Sequence, residues 1–235
     1  MTHPLDGAFK RVDRAGKHLG ELDTEIADYR RFKNETTLIQ FGRDDKGNTV
    51  PLGALTTAYD AASDMSILVG EIVYNLRNAL DYLVYELARL DSGGAQKRTQ
   101  FPIESTHDGF VGRRKTFLKG VNDRHVAQIK ALQPYSGCQW TQTLATFSNQ
   151  DKHRELVAVA TPAQSVWFVG AIPPPDVPDS AHVHRAPQAD GTEVYVTGYF
   201  TVRVEFADGT LVPETLQKLK LYVADVLESF KPEFQ

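Results

Sequence analysis

Residues 75–81 read NLRNALD and residues 148–156 read SNQDKHREL, and these two stretches hold the side chains best suited to polar chemistry. His153 stands between Lys152 and Arg154. Two flanking cations disfavour a third charge, so the imidazole is expected to stay neutral and able to accept a proton near pH 7. Asn149 precedes His153 by four residues, and Asp151 precedes Glu155 by four. On a helix each pair would share a face. Arg77 and Asp81 have the same spacing, which suits an ion pair. Asn75 and Asn78 are weaker helix formers than Lys, Glu or Gln, so a hydrogen-bond network or a ligand is needed to justify them.

A plainer reading stands beside each of these. Projected on a helix, Glu71, Asn75, Asn78, Tyr82 and Arg89 stack on one face as a solvated stripe. Lys152 and Arg154 suit a helix C-terminus, where positive charge complements the dipole. That leaves Asn149, Asp151 and His153 unexplained. His182 and His184 could share a strand face, but two imidazoles without a carboxylate or thiolate are a weak metal signal. The run from Arg113 to Arg124 is locally basic and reads most simply as an exposed helix face. No metal or cofactor motif is present.

The elements that must position these residues can be read from periodicity. Val12, Ala15, Leu19, Leu22, Ile26 and Tyr29 mark a helix over about 7–35, with Asp6 as its cap. Leu68, Ile72, Leu76, Leu80, Leu83, Leu87 and Leu90 mark a second over 65–92, stopped by Gly93 and Gly94. Trp140, Leu144 and Phe147 predict a third over 139–153, and Leu216 through Phe230 a last one over 213–230, with Pro213 in its first turn. Short helices are expected between 95 and 135. Two β-prone runs around Asp45–Asn48 predict a hairpin or flap. ELVAVAT, SVWFVGAI and the alternating YFTVRVEF predict a β layer over 154–207, interrupted by a long proline-rich loop at 173–191. The expected fold is α+β, with residues 1–235 as one domain: an antiparallel helical bundle with a small antiparallel sheet inserted or appended.

Composition narrows the function classes. The net charge of −4 gives no global basic field to attract nucleic acid, so such a role needs a local patch. Cys138 is the only cysteine, which excludes an intrachain disulfide and suits a reducing compartment. The N-terminal stretch lacks the apolar core of a signal peptide, and no run reaches the ~18 apolar residues of a membrane span. A cytoplasmic protein without membrane contact is expected.

GEIVYNLRNALDYLVYEL, TQFPIE, LQPY and SNQDKHREL, in that order, resemble a group of uncharacterised bacterial proteins that share an NLRxALD…FPI…QPY…NxDKHR pattern. That resemblance covers roughly residues 65–156 and carries no activity. More distantly, Arg77 on the central helix resembles the motif of HEPN-type helical bundles, many of which are metal-independent ribonucleases acting as dimers. Their motif places a histidine four to six residues beyond the arginine, whereas Tyr82, Leu83 and Val84 follow here. The resemblance therefore implies that His153 is delivered from another helix, or that the chain is an inactive relative.

On the ribonuclease reading His153 is the general base on a 2′-hydroxyl. Arg77, with Lys152 or Arg154, stabilises the phosphorane charge, and Asn75, Asp81 and Asp151 complete the catalytic set. Asn149 and Tyr82 join Lys152 and Arg154 in binding phosphate or ligand. No cofactor or metal is required, and the expected partners are RNA or a protein, with a homodimer implied. The competing expectation is a non-catalytic interaction or ligand-binding module, in which NLRNALD and NQDKHR form a structural polar network.

Overall fold

The computed structural model describes residues 3–36, 38–55, 62–151, 159–170, 182–206 and 208–235. Among these, six helices and five strands follow in order: α1 (Asp6–Thr36), β1 (Leu38–Arg43), β2 (Thr49–Leu55), α2 (Ala62–Ser92), α3 (His107–Phe117), α4 (Asp123–Ala131), α5 (Gln139–Asp151), β3 (Val159–Gly170), β4 (His182–Pro187), β5 (Glu193–Glu205) and α6 (Val212–Phe230). The fold is α+β: a helical bundle with small antiparallel sheets. No helix among the described residues is long and apolar enough to cross a membrane.

The chain divides into two compact units, one of residues 1–22, 66–156 and 212–235, the other of residues 23–65 and 157–211. In the first, α2 is apolar where its period demands. Ile72, Leu76, Leu80, Leu83 and Leu87 are fully buried, widened into a broad face by Val69, Val73 and Val84. Leu90 departs from the expected stripe: it lies in the last turn of α2 and is exposed. Leu5, Val12, Ala15, Leu19 and Leu22 from α1 and its approach are buried, as are Leu144 and Phe147 of α5. Leu216, Leu219, Val223 and Leu227 of α6 complete this core. The first helix already includes Asp6, so its expected cap is its first residue instead.

The polar face of α2 is less solvated than its sequence suggests. Asn75 is buried; its side-chain oxygen accepts from Arg11 Nη1 at 3.3 Å, and its Nδ2 donates to the Glu71 carbonyl at 2.8 Å. The Arg11 guanidinium also lies 5.6 Å from the Tyr82 ring centroid. His18 is buried between two carboxylates, Glu21 at 2.7 Å and Glu71 at 3.1 Å. Thus Glu71, Asn75 and Tyr82 meet partners on α1. The propensity cost of Asn75 is offset by a hydrogen-bonded seam between two helices.

In the second unit, β1 and β2 pair around a turn in which Asp44 accepts from the Lys46 and Asn48 backbone amides and Gly47 takes a φ of 80°. The remaining sheet has the order β3-β5-β4, all antiparallel. Two features differ from the sequence reading. The expected short strands merge into one β3, with an irregularity between Ala163 and Ser165. Its Pro162 lies on an edge strand, where proline is accommodated when its nitrogen faces away from the neighbouring strand. Within the expected loop, His182–Pro187 is a strand, β4; prolines around it hide its short β pattern. The His184 ring stacks on Phe41 at 4.6 Å, and no metal-holding group of three ligands occurs among the described residues.

Candidate functional site

The connector after α2 carries no regular secondary structure from Thr99 to Glu104, so its backbone groups need partners from elsewhere. The side chain of Phe101 is completely buried and anchors the segment. Pro102 biases Phe101 towards an extended conformation. An extended residue presents its N–H and C=O on one edge, where a neighbouring strand would take both. Here α2 takes them. The Phe101 N–H donates to Asp81 Oδ1 at 2.8 Å, and Arg77 Nη2 donates to the Phe101 carbonyl. Both bonds come from one helix because residues four apart share a face. The Arg77–Asp81 ion pair is loose, at 3.6 Å, since each group is committed to Phe101.

Gln133 secures the same segment from the far side. It is fully buried; its Nε2 donates to the carbonyls of Pro102 at 2.9 Å and Ile129 at 3.0 Å, while its Oε1 accepts from the Glu104 amide at 3.0 Å. The Gln100 amide is held by the Phe117 carbonyl at 3.2 Å. The blocks NLRxALD, FPI and QPY are therefore one device: two helical side chains and one glutamine hold an irregular strand. Nearby, the Asp91 carboxylate accepts from the Asn122 amide and side chain, each at 2.8 Å, and contacts His125 Nδ1 at 2.7 Å. His125 Nε2 lies 3.4 Å from Glu233, which ties the C-terminus to α4.

Against this device lies a cleft of about 180 Å³, lined among others by Arg77, Gln100, Glu104, Arg113, Ser148 and Asn149. Each polar residue has a structural reason for its place. Arg77 comes from the clamp, Gln100 and Glu104 from the clamped segment, Arg113 from α3, and Ser148 and Asn149 from the last turns of α5. Arg113 Nε donates to Glu104 Oε1 at 3.2 Å, and its guanidinium lies 5.2 Å from the Phe117 ring centroid. The first turn of α3 is capped by Thr106, whose side chain accepts from the Gly109 amide. A Cβ at Gly109 would meet Glu104 Oε2 at 2.8 Å, so glycine there makes room for the carboxylate.

Arg77 is the group least at ease in its surroundings. Its side chain is only 20% exposed, and Nη1 is buried without a hydrogen-bond partner among the described residues. Burial pulls the guanidinium below its ordinary pKa range, and the charge of Asp81 opposes that shift. An arginine stays protonated in a protein all the same, so the cost is carried as a destabilised charge rather than a lost one. An acceptor brought to this side chain would relieve both its desolvation and its unmet donor.

A second cleft, of about 360 Å³, is lined by Asn78, Asp81, Tyr82, Tyr85 and Thr99. The Arg77–Asp81 pair thus contributes one member to each cleft. The sequence-selected residues are distributed as follows. Arg77 and Asn149 share the first cleft, and Asp81 and Tyr82 line the second. Asn75 joins neither: it bonds to Arg11. Residues two apart on a helix point about 200° from each other, so Asn75 and Arg77 border opposite sides of the buried face of α2. Asp151 is the last residue of α5. Lys152, His153 and Arg154 lie outside the described residues.

Glu104, Gln100 and Gln133 were not singled out by sequence, and Arg113 entered only as part of a basic run that reads most simply as an exposed helix face. The signal available was the presence of TQFPIE and LQPY among the blocks on which the sequence resemblance rests. Comparison of the chain with family models, curated proteins and solved structures finds no match.

Proposed function

We propose that the chain is a nucleic-acid-acting helical bundle whose Arg77 cleft receives one backbone phosphate. The observation that carries this reading is the donor set gathered in one small cleft: two guanidiniums, Gln100, Ser148 and Asn149, with one arginine donor unmet among the described residues. Arginine, serine, asparagine and glutamine are among the side chains that contact phosphate oxygens in nucleic-acid complexes. The acidic balance of the whole chain suits a local contact rather than an extended basic track. In the ribonuclease form of this proposal, His153 takes the proton of the attacking 2′-hydroxyl and Arg77 stabilises the phosphorane.

The test is binding and cleavage of a labelled single-stranded RNA at low salt. Asn149→Ala is expected to weaken binding about fivefold through loss of one polar contact. His153→Ala is expected to leave binding intact and abolish cleavage. Wild-type protein that neither binds nor cuts the RNA rejects the proposal. Binding without cleavage rejects only its catalytic form.

A second reading, a structural polar network without a ligand, draws support from the clamp itself. Arg77 and Asp81 both serve Phe101, and Asn75 serves the seam with α1. RNA binding that is unchanged by Asn149→Ala decides for this reading at the Arg77 cleft.

A further inference from the structure

We infer that Glu104 is a charge-selectivity residue of the Arg77 cleft, admitting a singly charged anion and turning away a doubly charged one. This inference rests on the phosphate reading above and narrows it to a phosphodiester, as opposed to a terminal phosphate group.

The charges around the cleft carry the inference. Arg77 and Arg113 are its cations, and each already has a carboxylate beside it. Glu104 Oε1 is 3.2 Å from Arg113 Nε, and Asp81 Oδ1 is 3.6 Å from Arg77 Nη2. These four side chains sum to zero, so the described residues offer directed donors without a surplus of positive charge. A monoanion can take those donors at modest cost. A dianion brings a second negative charge that no cation among the described lining residues balances, within a few ångströms of the Glu104 carboxylate.

Glu104 is also built into its place. Its amide is held by Gln133, its carboxylate by Arg113, and Gly109 leaves the space that its second oxygen needs. Its side chain is 26% exposed, and it stands just before the N-terminal turn of α3, where negative charge is favoured. The carboxylate is thus a fixed wall of the cleft. Of the two carboxylates, only Glu104 lines this cleft, so it is the one an entering anion confronts.

The experiment uses the full chain and two simple probes, dimethyl phosphate as the monoanion and sulfate as the dianion, titrated at constant ionic strength and followed by amide chemical shifts. Wild type is expected to bind dimethyl phosphate more tightly than sulfate. Glu104→Gln keeps the shape and removes the charge, and is expected to raise sulfate affinity about tenfold relative to dimethyl phosphate. Arg113→Gln leaves Glu104 without its cation and is expected to weaken sulfate more than dimethyl phosphate. That second variant keeps the inference testable should Glu104→Gln disturb the fold. Wild type that prefers sulfate, or a ratio unmoved by both variants, overturns the inference and leaves the phosphate reading standing. Failure of both probes to bind wild type and variants overturns the two together.

Discussion

Arg77→Met is expected to destabilise the helical unit by about 3 kcal/mol, read as a lower urea midpoint at unchanged slope. Three losses add. The Phe101 carbonyl loses a charged donor, a hydrogen bond of the stronger class. Asp81 loses the cation 3.6 Å away. The buried segment from Thr99 to Glu104 then holds a carbonyl that water reaches poorly. Against these stands one gain, since methionine removes a desolvated guanidinium. That gain sets the estimate below the upper end for a broken buried pair. Asp81→Asn is the informative comparison: it keeps an acceptor for the Phe101 amide and is expected to cost only about 1 kcal/mol. Equal losses from the two variants would mean that the ion pair, and not the bond to Phe101, holds the segment.

Gln133→Leu is expected to cost about as much, roughly 3 kcal/mol. Leucine fills nearly the same volume, so the loss comes from polar groups and not from a cavity. The Pro102 carbonyl and the Glu104 amide lose their side-chain partner inside the protein, and the Ile129 carbonyl loses one of its bonds. Arg77 and Gln133 grip one segment from two helical regions, so their effects should not add. The double variant is expected to fall short of the sum by about 1 kcal/mol or more, because a segment already released has less left to lose. Strict additivity would show that the two grips are independent and that NLRNALD, FPI and QPY do not form one device.

The helices were legible because each is long and strictly periodic. The stripe on α6 from Leu216 to Phe230 is buried throughout, and α2 and α5 begin and end within a few residues of their sequence signals. The β layer was legible in part: β5 alternates plainly, whereas β4 is short, edge-placed and flanked by prolines. Site residues divided along the same physical line. Arg77 and Asp81 could be paired from their spacing, since a helix fixes residues four apart on one face. The ribonuclease reading joins Asn75 and Arg77 in one catalytic set, yet a helix turns residues two apart away from each other. The Glu104–Arg113 pair spans the turn into α3, and the grip of Gln133 reaches back across 31 residues to Pro102. No local period encodes either, because tertiary folding alone brings them together.

The clamp on Phe101 has a consequence for motion. A stretch without helix or strand ordinarily surrenders its amide protons to solvent quickly, because local openings are cheap. The amides of Phe101 and Glu104 are bonded to side chains rooted in α2 and beside α4, and the Phe101 ring is wholly buried. Releasing either amide requires the bundle itself to part. Hydrogen exchange at these two positions should therefore be as slow as in the middle of α2, so that a segment with no secondary structure reports on the cooperative opening of the whole helical unit.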